Sequence, residues 1–177
     1  MKRILILSLL VLSASASFAQ FRKYSNEFLN IGAGARELGM GSACVATSGD
    51  VYSAYWNPAG LLMMRSDIQL GLMHSEYFAG IAKYDFGSVV VPIDYKKRIV
   101  GMSILRFAVD DIPNTLFLVE PDGTINYDNV TKFSAADYAM LLSYAQHLSR
   151  LNLRFGGNAK IVHRTVGSFA HSWGFGF

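Results

Sequence analysis

The chain has 177 residues, a formal net charge of +3 and 51% apolar residues. That is about one domain of sequence, and its one cysteine, Cys44, excludes an internal disulfide scaffold. No basic tract marks a nucleic-acid surface. Beyond the N-terminus, no apolar run reaches the ~20 residues that a membrane-spanning helix needs. High apolar content without such a run is the composition of a barrel wall, whose apolar residues alternate with others.

The N-terminus reads as a secretory signal over residues 1–19. Lys2 and Arg3 give a basic start, Ile4 to Leu12 an apolar core, and Ser17-Phe18-Ala19 a small-x-small cleavage site before Gln20. The apolar core is too short to span a bilayer. The residue after the cut is not cysteine, so no lipid anchor is expected there.

Residues 20–66 are expected to form a separate N-terminal segment that plugs a barrel lumen. Gly32, Gly34, Gly39 and Gly41 interleave with Ala33, Ala35, Ala43 and Ala46. Such small residues let backbones approach closely, and glycine admits positive φ. Cys44 reads as a small packed hydrophobe among them. Asp50 to Trp56 is expected to be a short helix with Asp50 near its start. In Asn57-Pro58-Ala59-Gly60, Pro58 forces Asn57 to be extended, and Asn57 is placed to cap a following turn.

From residue 67 to 177 the pattern has period two. Six strands are expected near 67–74, 80–93, 98–108, 132–147, 152–166 and 170–177. The apolar sets are Ile68, Leu70 and Leu72; Ala82, Tyr84, Phe86 and Val90; Tyr138, Met140, Leu142 and Tyr144; Leu153, Phe155, Ala159 and Ile161; and Trp173, Phe175 and Phe177. Several strands exceed the usual length in a soluble sheet, and a soluble antiparallel sandwich is the competing architecture. Tight turns at 94–97 and 149–150 alternate with a long loop at 109–131, which fits an outer-membrane barrel with long loops outside. Tyr84, Phe86, Phe107, Phe133 and Trp173 are candidates for interfacial aromatic girdles. With the apolar sets facing lipid, Lys83, Asp85, Asp137, Arg154, Lys160 and Arg164 fall on the lumen face, with Glu37 and Asp50 of the plug as candidate partners. Outward placement would cost a Lys or Arg ~2–4 kcal/mol at mid-membrane. Six strands do not close a barrel, and unpaired edges in lipid are costly. The expectation is therefore an incomplete barrel; the alternative is a small complete one ending on Phe177.

One stretch is more specific than any pattern. Glu27-Phe28-Leu29, then Gly34-Ala35-Arg36, Leu38-Gly39-Met40-Gly41, Ala43, Val45-Ala46, Asp50 and Tyr55-Trp56-Asn57-Pro58-Ala59-Gly60-Leu61 resembles the PorV/PorQ family of Bacteroidetes outer-membrane proteins. The resemblance makes Arg36, Gly39, Gly41, Asp50, Trp56, Asn57, Pro58, Ala59 and Gly60 the family motif of an N-terminal hatch. It implies an all-β fold, a FadL-like transmembrane antiparallel barrel with that hatch inside, located in the outer membrane. It implies a role in type IX secretion, binding or escorting exported cargo by its C-terminal domain beside translocon components, with outer-membrane lipid around the wall. FadL-like relatives instead pass hydrophobic small molecules, and a purely structural outer-membrane role is the third reading.

No catalytic set emerges. His74, His147, His163 and His171 are scattered, and no metal-ligand or nucleophile-elbow spacing occurs. Ser143 and His147 share a strand face, but on the lumen side rather than the outer wall that a barrel phospholipase uses. No enzyme activity, cofactor, metal or nucleic-acid partner is expected.

Overall fold

The computed structural model describes residues 26–94 and 97–177. The signal expected at residues 1–19 lies outside the described residues. Six strands follow in chain order: β1 (Gln69–Tyr77), β2 (Ala82–Ile93), β3 (Arg98–Asn114), β4 (Thr131–Leu148), β5 (Leu153–Val166) and β6 (Ala170–Gly176). They form one sheet in the order β1-β2-β3-β4-β5-β6, with every neighbouring pair antiparallel. The sheet is not closed: β1 and β6 do not pair. Among the described residues no helix is long and apolar enough to cross a membrane.

The pairing register sorts the side chains into two faces, because successive residues of a strand point to opposite sides. One face carries the rows Phe86–Leu105–Ala139–Val162 and Val90–Gly101–Ser143–Asn158. The other carries Leu72–Gly87–Ile104–Met140–Ile161–Phe175 and Leu70–Val89–Met102–Leu142–Ala159. The N-terminal segment packs on the first face. It contributes Phe28 and Ala33 to a cluster with Tyr84, Phe86, Leu105, Ala139, Leu141 and Val162. A second cluster joins Val51, Ala54, Leu61 and Met64 to Val90, Ile99 and Ala145.

The second face stays open. Leu72 is 72% exposed and Phe175 is 81% exposed. A contiguous apolar surface of this extent marks a face made for lipid or protein rather than water. The sheet is thus apolar on both sides, which a soluble sheet with one solvated face is not.

That two-sidedness corrects two expectations. On β2 the residues turned toward the N-terminal segment are Ala82, Tyr84, Phe86, Ser88 and Val90, all buried. Tyr84 and Phe86, with Phe107 of β3, therefore line the covered face and form no girdle. Lys83 and Asp85 lie on the opposite, open face with Val89, Val91 and Ile93. Alternation on β2 separates apolar from mixed residues, but here the apolar set meets the N-terminal segment instead of lipid.

Candidate functional site

The N-terminal segment is built from single turns locked together by side chains. Short helices run over Ala35–Gly39 (α1) and Ser53–Trp56 (α2), with 3-10 turns at Glu27–Asn30 and Pro58–Met63. None is long enough to be stable alone, so tertiary contacts must hold them. Trp56 Nε1 donates to the Ala33 carbonyl at 2.7 Å. The Tyr55 hydroxyl donates to the Leu29 carbonyl. Together these tie α2 to the start of the segment. Gly32 sits under the Trp56 ring: a Cβ there would come within 2.7 Å of it.

Asp50 stands just before α2, where its Oδ1 accepts from Tyr52 N at 3.0 Å. Asn57 is extended, with φ −158° and ψ 92°, and Pro58 opens the following turn. The side chain of Asn57 does not cap that turn. It donates to the Val45 carbonyl at 2.9 Å and so holds the small-residue loop in place. Gly60 abuts Ser48, whose carbonyl would be 2.6 Å from a Cβ there. Arg36 is exposed on α1, and Gly39 and Gly41 have open space where a Cβ would stand.

The turn opened by Asn-Pro-Ala-Gly packs across β4 and β5, and its backbone comes against β5 at Gly156. A Cβ on Gly156 would be 2.5 Å from Ala59 N and 2.6 Å from the Pro58 carbonyl carbon. Beside it the Ala54 carbonyl, at the heart of α2, accepts from Asn158 Nδ2 at 2.7 Å and from Ser143 Oγ at 3.4 Å. At β1 the Tyr52 hydroxyl donates to the Leu72 carbonyl at 3.2 Å, and Gly71 leaves room for Val51. Sequence reasoning missed Gly156, Asn158 and Ser143. A glycine inside an alternating strand is a signal for close backbone approach, and Gly156 carried it.

The charges divide by face. Asp137, Arg154, Lys160 and Arg164 share the face that bears the N-terminal segment, as the register of β4 with β5 requires. Arg164 Nε and Nη2 grip the two carboxylate oxygens of Asp137 at 2.5 and 2.6 Å. Neither Glu37 nor Asp50 is a partner of these groups in any described ion pair. Glu37 is buried within the segment, and its Oε2 lies 2.0 Å from where a Gly34 Cβ would stand. Burial, seconded by the Glu37 carboxylate, pushes the Cys44 thiol above its ordinary range. Burial also raises Tyr52 and Tyr55.

The loop between β3 and β4 is ordered by its own polar groups. Glu120 Oε1 accepts from Asn129 Nδ2 at 2.8 Å and from Asn126 Nδ2 at 3.2 Å. Asn126 N donates to the Leu118 carbonyl and Glu120 N to the Thr124 carbonyl. Val119 and Ile125 form an antiparallel bridge. Asp122 takes hydrogen bonds from the hydroxyl and backbone N–H of Thr124, which hold its carboxyl below the usual range. On this frame Leu116, Phe117, Val119, Ile125 and Tyr127 stand exposed.

An antiparallel sheet with an apolar outer face, filled on its other face by a small N-terminal segment, is the wall of a membrane barrel. A family model described as "Type IX secretion system protein PorV" matches residues 20–160. The chain belongs to that family and is an outer-membrane protein associated with type IX secretion. No curated protein and no solved structure matches it.

Proposed function

We propose that the loop between β3 and β4 engages the C-terminal signal of exported cargo, while the lipid-facing sheet and its N-terminal hatch anchor that loop in the outer membrane. Export through a signal at residues 1–19 belongs to the same reading. The carrying observation is the contrast within the loop. Its backbone is fixed by Asn129 Nδ2 donating to the Phe117 carbonyl, Asn126 N to the Leu118 carbonyl and Glu120 N to the Thr124 carbonyl, yet Leu116 and Phe117 are 73% and 70% exposed. Apolar anchors on a preorganised frame lose little entropy on binding, which is how a short loop gains affinity.

The test is capture of secreted proteins that share a C-terminal signal domain. Replacing Leu116 and Phe117 together by Ser should lower capture at least about tenfold, the effect of losing one hot-spot contact. Heat-modifiable migration of the outer-membrane fraction should not change. Capture equal to that of the unaltered chain would overturn the proposal. Retention of an apolar small molecule in place of cargo would turn the reading to transport.

A further inference from the structure

We propose that the seam between the N-terminal segment and the sheet holds a site for a small carboxylate with a flat apolar body, such as an arylacetate, with Lys160 as its anchor. The proposal rests on the barrel reading, in which this face is the interior, and is independent of the cargo loop. The seam leaves a cavity of about 190 Å³. Leu29 and Asn30 of the first 3-10 turn and Tyr55 and Trp56 of α2 line its hatch side, and Leu141 of β4 and Lys160 of β5 line its wall side.

The hatch side has already committed its donors. Trp56 Nε1 donates to the Ala33 carbonyl and the Tyr55 hydroxyl to the Leu29 carbonyl. Asn30 Nδ2 donates to Glu27 Oε2 at 2.7 Å, and Glu27 is the acidic residue of that turn. Lys160 differs from all of these. Its neighbours across the same face are Leu141 on β4 and Gly176 on β6, and Asn158 and Val162 flank it along β5. None of the four is acidic. Arg164, further along that face, stands opposite Asp137 and grips it with two nitrogens. Of the segment's other acidic residues, Glu37 is buried within it and Asp50 accepts from Tyr52 N. Among the described residues no carboxylate forms an ion pair with Lys160. A half-buried ammonium without a counter-charge keeps a desolvation cost that an anionic ligand offsets.

The charge selects the sign of the ligand, and the walls select its body. A carboxylate takes charge-assisted hydrogen bonds from the ammonium, which has three donors. The Tyr55 and Trp56 rings meet edge to face, with centroids 5.1 Å apart and 73° between their planes. With Leu29 and Leu141 they form apolar walls, against which a flat ring packs in the geometries that aromatic pairs prefer. The cavity is smaller than the ~300–1,000 Å³ that drug-sized ligands occupy. It therefore suits one ring and a short acid arm, not a long acyl chain.

The experiment is isothermal titration calorimetry of the full chain purified from membranes in mild detergent. Phenylacetate, phenylacetamide, 2-phenylethylamine and decanoate are titrated separately. Phenylacetate should saturate at one per chain, and phenylacetamide should bind at least about tenfold more weakly. The amine and decanoate should give no saturable binding. Lys160→Gln should lower phenylacetate affinity at least about tenfold, and Lys160→Arg, which keeps the charge, should recover most of it. Heat-modifiable migration should not change in either variant, because no ion pair of the fold uses this side chain. Lys132→Gln, whose ammonium pairs with Asp111 elsewhere, should bind phenylacetate as the unaltered chain does. Equal binding of phenylacetate and phenylacetamide would overturn the proposal. So would unchanged affinity in Lys160→Gln, no saturation at millimolar phenylacetate, or tighter binding of decanoate. The cargo-capture test reads a different part of the molecule, so either reading can fail while the other stands.

Discussion

Gly156→Ala adds a single methyl group to β5, and the structure makes its consequence severe. The new Cβ would lie 2.5 Å from Ala59 N and 2.6 Å from the Pro58 carbonyl carbon. Both are backbone atoms, so no side chain can rotate away. The Asn-Pro-Ala-Gly turn must lift off the sheet or β5 must bend. Overpacking of this kind costs about 1–3 kcal/mol. Lifting the turn also lengthens the hydrogen bonds from Asn158 and Ser143 to the Ala54 carbonyl, worth about 1 kcal/mol each at most. The expected penalty to docking is on the order of 3 kcal/mol. Gly157→Ala is the matched control, since its Cβ would meet nothing within 4 Å. Hydrogen exchange of the backbone amides between residues 50 and 64 reads the opening directly. Gly156→Ala should speed that exchange about a hundredfold, and Gly157→Ala should leave it nearly unchanged. Equal protection in both variants would refute the claim that Gly156 is a point of close docking.

Cys44 should report the same docking through pH. Its folded thiol sits above the ordinary value of 9.0, because burial disfavours the thiolate. The docked state is therefore at full stability below pH 9.0 and loses stability as pH rises through the raised value. Cys44→Ala should remove the first part of that alkaline decline, with Tyr52 and Tyr55 adding theirs at higher pH; an unaltered decline on thermal melting would count against a buried thiol. The basic residues of β5 should rank unequally. Asp137 has a side chain only 12% exposed and depends on Arg164, which is itself 39% exposed. Removing the partner of a buried charge costs up to ~3–5 kcal/mol, and the exposure of Arg164 brings the expected loss down to roughly 1–2 kcal/mol. Arg164→Gln should thus lower the temperature of barrel unfolding, while Lys160→Gln, with no described ion pair, should leave it nearly unchanged. Equal effects would mean that the Asp137 pair carries no special weight.

The strands were legible because period-two alternation survives wherever the two faces differ. On β4, Tyr138, Met140, Leu142 and Tyr144 are large and apolar, while Asp137, Ala139, Ser143 and Ala145 are small or polar. The sequence alone assigns those sets to different faces, and the register agrees. On β2 the same reasoning inverted. Tyr84 and Phe86 look like lipid-facing residues, yet they are buried under Tyr52, Tyr55 and Phe28. Lys83 and Asp85 look inward-facing, yet they stand at the charged border of the open face. A strand that presents apolar residues on both faces, one to the N-terminal segment and one to the outside, is not oriented by alternation alone, and only its neighbours in the fold can settle the matter.

The same limit explains which parts of the site could be read. The Asn-Pro-Ala-Gly turn was legible because proline and glycine restrict the backbone wherever they occur. What the turn docks against was not, because the contact is backbone to backbone across nearly a hundred residues of chain. Its only trace in sequence is that Gly156 has no side chain. Gly87 leaves the same trace for a different reason: no backbone fills the space in front of it. An interior strand glycine therefore marks an approach without saying what approaches. At Gly156 the occupant is the protein's own turn, which any side chain would displace. At Gly87 an added Cβ meets only Leu72, at an ordinary 3.5 Å, so the wall has room for a methyl group that the sequence does not supply. The two glycines separate by response: Gly156→Ala should open the N-terminal segment, and Gly87→Ala should leave it protected.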